Sequence, residues 1–202
     1  MKRQISLLLV LASLAAPRPG RAQGKFMTKT GRVSFFSTSI IEDIEARNLA
    51  AAAVLDLGTG QLAFAVPIKE FAFKRTLMQE HFNENYMESE KYPRATFTGR
   101  FTGRFTGADA AAMGVAGSHT IQVEGDLTLH GVAHHLMVPG TLELKNGQLL
   151  AFAFFSVAPA DYNIEIPLLV RENIAKIVSI RVALTCDPVG TATPVSSSKS
   201  AN

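Results

Sequence analysis

Residues 121–155 read IQVEGDLTLHGVAHHLMVPGTLELKNGQLLAFAFF, and their alternation decides the fold. Ile121, Val123, Leu127 and Leu129 fall on one side of an extended chain, and Gln122, Glu124, Asp126 and Thr128 on the other. A period of two marks a strand with one buried and one wet face. Gly131 interrupts, and Val132 to Leu144 reads as a second strand. Asn146 and Gly147 both tolerate positive φ, as a two-residue type I′ hairpin turn requires. Leu149 to Val157 is a third strand, apolar on both faces. The centre of the chain is thus an antiparallel meander with an apolar inner surface. Such a surface either packs as core or encloses an apolar ligand.

Upstream, Phe-Thr-Gly occurs three times, at 97–99, 101–103 and 105–107, with Arg100 and Arg104 between. Threonine and glycine are costly in a helix, so Arg94 to Gly107 reads as a strand. Phenylalanine and glycine then share one face, threonine and arginine the other. Glycine between inward phenylalanines leaves room for rings, for curvature or for a ligand. Asp109 to Gly117 is a loop of small residues.

Thr76 to Glu90 (TLMQEHFNENYMESE) has a different character. Leu77, Met78, His81, Phe82, Asn85 and Tyr86 share one face at helical spacing. Thr76 with Gln79 forms a capping-box pattern, and Lys91-Tyr92-Pro93 closes the helix because the residue before proline avoids the α region. Leu49 to Leu57 is alanine-rich, which favours helix by propensity. The Leu57–Gln61 turn and the alternation of Leu62, Phe64 and Val66 demand a hairpin instead, so it is expected to be a strand. Pro67 ends its partner, and Ile68, Phe71 and Phe73 follow in a looser segment. Further upstream, Gly24 to Gly31 is a polar lead-in, Val33 to Phe36 a first strand, and Ile40 to Arg47 a helical turn or exposed bend. Downstream, Ala158 to Val170 is irregular and Ile174 to Thr185 is a closing strand. The Ser/Thr/Pro-rich end is a disordered tail.

The sum is an all-β domain over residues 24–187, followed by the tail at 188–202. The short turns point to an antiparallel up-and-down, lipocalin-like barrel of about eight strands with one helix near its mouth. A sandwich is the alternative.

The first 22 residues carry Lys2 and Arg3, an apolar run from Ile5 to Ala16, and small residues at Gly20 and Ala22. This is a cleaved secretory signal pattern, with a run too short to span a bilayer. The expected location is periplasmic or secreted, with no stable membrane insertion. The leader holds four of the 20 basic residues (Lys2, Arg3, Arg18, Arg21) and none of the 17 acidic ones, so the basic balance belongs to it. Nothing argues for nucleic-acid binding, which needs a persistent basic face. Cys186 is the only cysteine, so no internal disulfide forms, and it is expected as a half-buried small apolar residue at a strand end.

Candidate chemistry is sparse. His130 and His134 share parity near Glu124 and Asp126, but a metal site wants three or four converging ligands, and His135 points the other way. Exposed histidines at a wet turn are the simpler reading. No Gly-x-Ser-x-Gly elbow is present, and no histidine lies near Cys186 in sequence. Asp161 and Glu165 read as a solvated loop, and Gly58-Thr59-Gly60 as a turn rather than a phosphate loop. No catalytic residue, metal or cofactor is expected. What stands out is the phenylalanine content, which is either ordinary core or the wall of a barrel wide enough for one small ligand.

Three pieces together resemble the YceI-like family of exported bacterial lipid- or polyisoprenoid-binding proteins. They are His81-Phe82-Asn83 through Lys91-Tyr92-Pro93-Arg94-Ala95-Thr96-Phe97, then Val123-Glu124-Gly125-Asp126-Leu127-Thr128-Leu129-His130-Gly131-Val132, and Asp161-Tyr162-Asn163-Ile164-Glu165-Ile166-Pro167. The resemblance implies an antiparallel barrel with a long apolar tunnel, an isoprenoid or fatty-chain ligand, and no catalysis. On that basis Phe64, Phe71, Phe73, Phe82, Tyr86, Phe97, Phe101, Leu127, Leu129, Phe152 and Phe154 are the expected ligand-binding residues. Head-group anchors are expected near His81, Asn85 or Tyr86, and a homodimer is left open.

Overall fold

The computed structural model describes residues 24–39, 43–102, 117–168, 170 and 174–189. The leader at 1–22, Phe105 with the loop at 109–116, and the tail from 190 onward lie outside the described residues. The strands are β1 (Lys25–Thr38), β2 (Asp43–Asp56), β3 (Gln61–Pro67), β4 (Ala72–Phe73), β5 (Arg94–Thr102), β6 (Ser118–Leu129), β7 (Val132–Lys145), β8 (Gln148–Val157) and β9 (Val178–Pro188). One α-helix, α1 (Thr76–His81), follows β4.

The sheet order is β1-β9-β8-β7-β6-β5-β3-β2, and β1 pairs with β2 to close it. Eight strands thus form an antiparallel up-and-down barrel, with the two-residue β4 attached to β2. Closure pairs most of the strand edges of a chain of marked β character. The tight turns follow the residue types. Asn146 and Gly147 sit at φ 52° and 79°, and His130 and Gly131 at 51° and 77°. Before β3, the Asp56 carboxylate accepts the N–H groups of Gly58 and Thr59 at 2.9 and 3.1 Å.

Two expectations about the first strands change. β1 starts at Lys25, well before Val33, and register shifts on both sides of Gly31 break its alternation. A Cβ at Gly31 would lie 2.5 Å from Leu184 Cδ2 and 3.0 Å from the Ala51 carbonyl, so a side chain there would force Leu184 to move. Residues 43–47 are strand rather than a helical turn or bend. Ala46 is fully buried while Glu45 and Arg47 pair at 2.7 Å on the outer side. The buried Asn48 continues the inner row, with Nδ2 donating to the Pro67 carbonyl and Oδ1 accepting from Ala50 N–H, each at 2.8 Å. Its polar atoms are thus satisfied as burial demands.

The helical segment is shorter than its sequence suggests. α1 ends at His81, and a π-helical turn spans Phe82–Tyr86 before Glu88 adopts φ 41°. Thr76 is the first helical residue, not the cap. That place is taken by Arg75, without a side-chain cap bond. So short a helix is marginal alone. It is held by Phe82, whose ring lies 5.4, 5.6 and 5.0 Å from those of Phe35, Phe71 and Phe73.

Near and far ends of the barrel differ. At the far end, where β2 meets β3 and β7 meets β8, Phe26, Leu55, Phe101, Ile121, Leu142, Leu149 and Cys186 are all buried and fill the interior. Cys186 is completely buried rather than half-buried, and its burial pushes the thiol up to about 12. At the near end, which carries α1 and the segment after β8, the interior is not filled.

Candidate functional site

The near end encloses a cavity of about 320 Å³. That volume falls in the range of small-molecule sites. Its wall is built from inward positions of β1 (Val33, Phe35, Ser37), β3 (Phe64, Val66), β6 (Leu127, Leu129), β8 (Phe155, Val157) and β9 (Val178, Ile180, Val182). The helical segment covers it with Met78, His81, Phe82, Tyr86 and Met87, and the segment after β8 adds Pro159, Ile164 and Ile166. Ile68, Phe71 and Phe73 lie between barrel and helix and complete the wall there. Among the described residues, Ser37, His81 and Tyr86 are the hydrogen-bonding side chains of the lining, and none of the lining residues is Lys, Arg, Asp or Glu. Ser37 Oγ is already engaged, accepting Ala175 N–H at 2.8 Å. Burial raises the pKa of Tyr86, so its phenol stays neutral. Such a cavity can exclude water and hold an apolar chain, with His81 and Tyr86 beside the helix to hydrogen-bond it.

Seven of the eleven expected residues lie on this wall: Phe64, Phe71, Phe73, Phe82, Tyr86, Leu127 and Leu129. Phe97 and Phe101 are buried but off the wall, Phe97 at the boundary of the packed half and Phe101 within it. Phe152 and Phe154 point outward and remain 43% and 48% exposed. On β8 the wall residues are Phe155 and Val157, which alternation alone does not single out because that strand is apolar on both sides. The hairpin turn held the missing signal. With Lys145 opposite Gln148, Leu142 stands opposite Ala151, and partners in a ladder share a face. The inward parity of Leu142 therefore fixes odd-numbered residues of β8 as inward. On the helical segment, Leu77 and Asn85 face solvent, while Met87 joins the wall.

One seam of the barrel is not closed by backbone pairing. β7 and β8 pair from Lys145–Gln148 only as far as Gly140–Ala153. The next residue of β7 is Pro139, which has no N–H for a ladder. Past that point histidines bind the segment after β8. His134 Nε2–H donates to the Asp161 carbonyl at 2.7 Å, and His130 Nδ1–H to that of Tyr162 at 3.1 Å. The His134 ring also meets the Tyr162 ring edge-on at 4.9 Å, and His130 packs on Tyr92 at 4.4 Å. These histidines are therefore structural ties. It is His135, on the outer face, that meets Asp126 at 2.9 Å and Glu124 at 3.2 Å. Those carboxylates raise its pKa, Asp126 foremost. Among the described residues no group of three or more His, Cys, Asp or Glu side chains is arranged to hold a metal ion.

Fold and site together define a closed antiparallel β-barrel, solid at one end and hollow and apolar at the other. The YceI-like domain family matches residues 19–186, and the chain belongs to that family. Solved structures share the fold. A polyisoprenoid binding domain from Saccharophagus degradans, implicated in plant cell wall breakdown, has 16% identity and a TM-score of 0.69, covering 82% of this chain and 99% of its own. Burkholderia cenocepacia BcnA has 17% identity and a TM-score of 0.65, covering 77% of this chain and 95% of its own. No curated protein matches the chain in sequence.

Proposed function

We propose that this protein binds a long apolar chain, a polyisoprenoid or a fatty chain, in the near-end cavity and does no chemistry on it. The observation that carries the reading is the 320 Å³ cavity with its apolar wall. Membership of the YceI-like family supports it, as does the fold shared with a domain described as polyisoprenoid-binding. Each CH₂ removed from water contributes about 0.8 kcal/mol, so a chain is held with few polar contacts. Among the described residues, the cavity wall holds no Lys, Arg, Asp or Glu as counter-charge for a charged ligand. His81 and Tyr86 are the side chains placed to meet a hydroxyl or carbonyl.

The rival reading is a structural module with a filled core, which the unfilled near end disfavours. Native mass spectrometry and solvent extraction of protein purified from its own host separate the two. A co-purifying apolar lipid is expected, together with uptake of linear isoprenoid or fatty alcohols by the stripped protein. Absence of both sinks the proposal. Export is part of the same reading. Mature protein outside the cytoplasm beginning at Gln23 is the expected result, and full-length protein retained inside refutes it. No helix among the described residues is long and apolar enough to cross a membrane.

A further inference from the structure

We propose that Phe97 is the stop that sets how long a chain the cavity accepts, an inference that rests on the binding reading above. Phe97 is buried at 4% exposure and lies just off the cavity wall. Its two cross-strand partners, Phe64 on β3 and Leu127 on β6, are both on that wall. Phe97 therefore belongs to the last row before the packed half of the barrel. Its ring stacks on Phe64 with centroids 5.3 Å apart and planes 13° apart.

The ring leans away from the cavity, over the next row of the same face. That row is Gly99 opposite Gly125. A Cβ added at Gly99 would lie 2.7 Å from Phe97 Cε1, and one at Gly125 would lie 2.8 Å from its Cζ. The place of two side chains is thus taken by one ring from the row above. The following row, Phe101 opposite Val123, is buried and solid. A chain descending the cavity along β5 and β6 ends against this ring. Because the two glycines offer no side chain to take its place, removing the ring joins their space to the cavity. The Phe/Gly repeat thereby acquires a role: its first phenylalanine ends the cavity, and its first glycine seats the ring.

The test is binding of a graded series of linear isoprenoid alcohols, from geraniol upward, by native mass spectrometry and competition, with melting curves to verify folding. The natural protein is expected to gain affinity with each added isoprene unit up to a cut-off. Phe97→Leu and Phe97→Ala should move the cut-off to longer alcohols, Ala further than Leu. The first alcohol beyond the natural cut-off should gain about tenfold in Phe97→Ala, the worth of about two more buried CH₂ groups. Ala95→Phe, one row nearer the mouth on the cavity wall, should move the cut-off the other way. If Phe97→Ala does not fold, the Leu and Ala95→Phe variants decide. Unchanged cut-offs in folded variants overturn the role of Phe97 alone. No binding at any length by the natural protein overturns the binding reading beneath it.

Discussion

Replacing Gly125 by alanine adds one methyl group where three atoms already stand. The new Cβ would lie 2.4 Å from the Thr98 carbonyl oxygen, 2.5 Å from Gly99 Cα and 2.8 Å from Phe97 Cζ. Ordinary contact begins at 3.4 Å, so the closest approach is short by about 1 Å. Two of the three atoms are backbone of β5, and relief requires β5 and β6 to part locally. Overpacking of this kind costs about 1–3 kcal/mol, and backbone on two sides places this case near the top. Loss of the glycine's extra unfolded-state freedom returns about 0.4–1 kcal/mol. The net expectation is about 2 kcal/mol of lost stability, or roughly 4–8 °C in Tm for a domain of this size. Urea denaturation followed by circular dichroism measures it. Combining Gly125→Ala with Phe97→Leu should recover only part of the loss, because the two backbone contacts remain. A single variant within about 0.5 kcal/mol of the natural protein would refute the close approach of β5 and β6. Full rescue by Phe97→Leu would place the obstacle in the ring instead.

Three other outcomes are expected. His135 should titrate above its ordinary 6.5, since Asp126 and Glu124 favour its charged form. Its contribution to stability is fully present below the unfolded pKa and lost as pH rises through the raised folded value; NMR titration should show the midpoint fall in Asp126→Asn. Cys186, with its thiol raised to about 12 by burial, should resist thiol reagents at mildly alkaline pH in the folded protein and react on unfolding; rapid labelling of the native state would contradict its burial. His134→Ala removes the bond to the Asp161 carbonyl, worth about 1 kcal/mol, so amide exchange across 159–166 should quicken about fivefold while β6 is unaffected.

Much of the barrel was legible because its strands obey a period of two and its turns carry residues that accept positive φ. Ile121–Leu129, Asn146-Gly147 and the closing run Val178, Ile180, Val182, Leu184 are read correctly from local pattern alone. Local pattern misleads where a register shift breaks the period, as around Gly31, or where charge suggests a bend, as at Glu45 and Arg47, although Ile44, Ala46 and Asn48 keep inward parity. It is silent on β8, where both faces are apolar and only pairing across the hairpin separates Phe155 from Phe152 and Phe154. The helical stripe at 76–90 is real but ends in a π-helical turn at Phe82–Tyr86; Leu77 and Asn85 face solvent, and Met87 joins the wall.

The sequence by itself determines that the chain is a meander of half-buried strands rich in phenylalanine. Alternation is a local property, set by which residues must leave water. It cannot say which inward phenylalanines touch one another and which stand apart around a space. Phe97 and Phe64 are both inward aromatics, yet one fills the barrel and the other lines its cavity. That difference arises from strand register, which sets Gly99 against Gly125 and lets one ring occupy the room of two side chains, and from closure of the barrel around the hollow rows above it. Only the tertiary structure decides it, because the volume left over is a sum across eight strands and belongs to none of them alone.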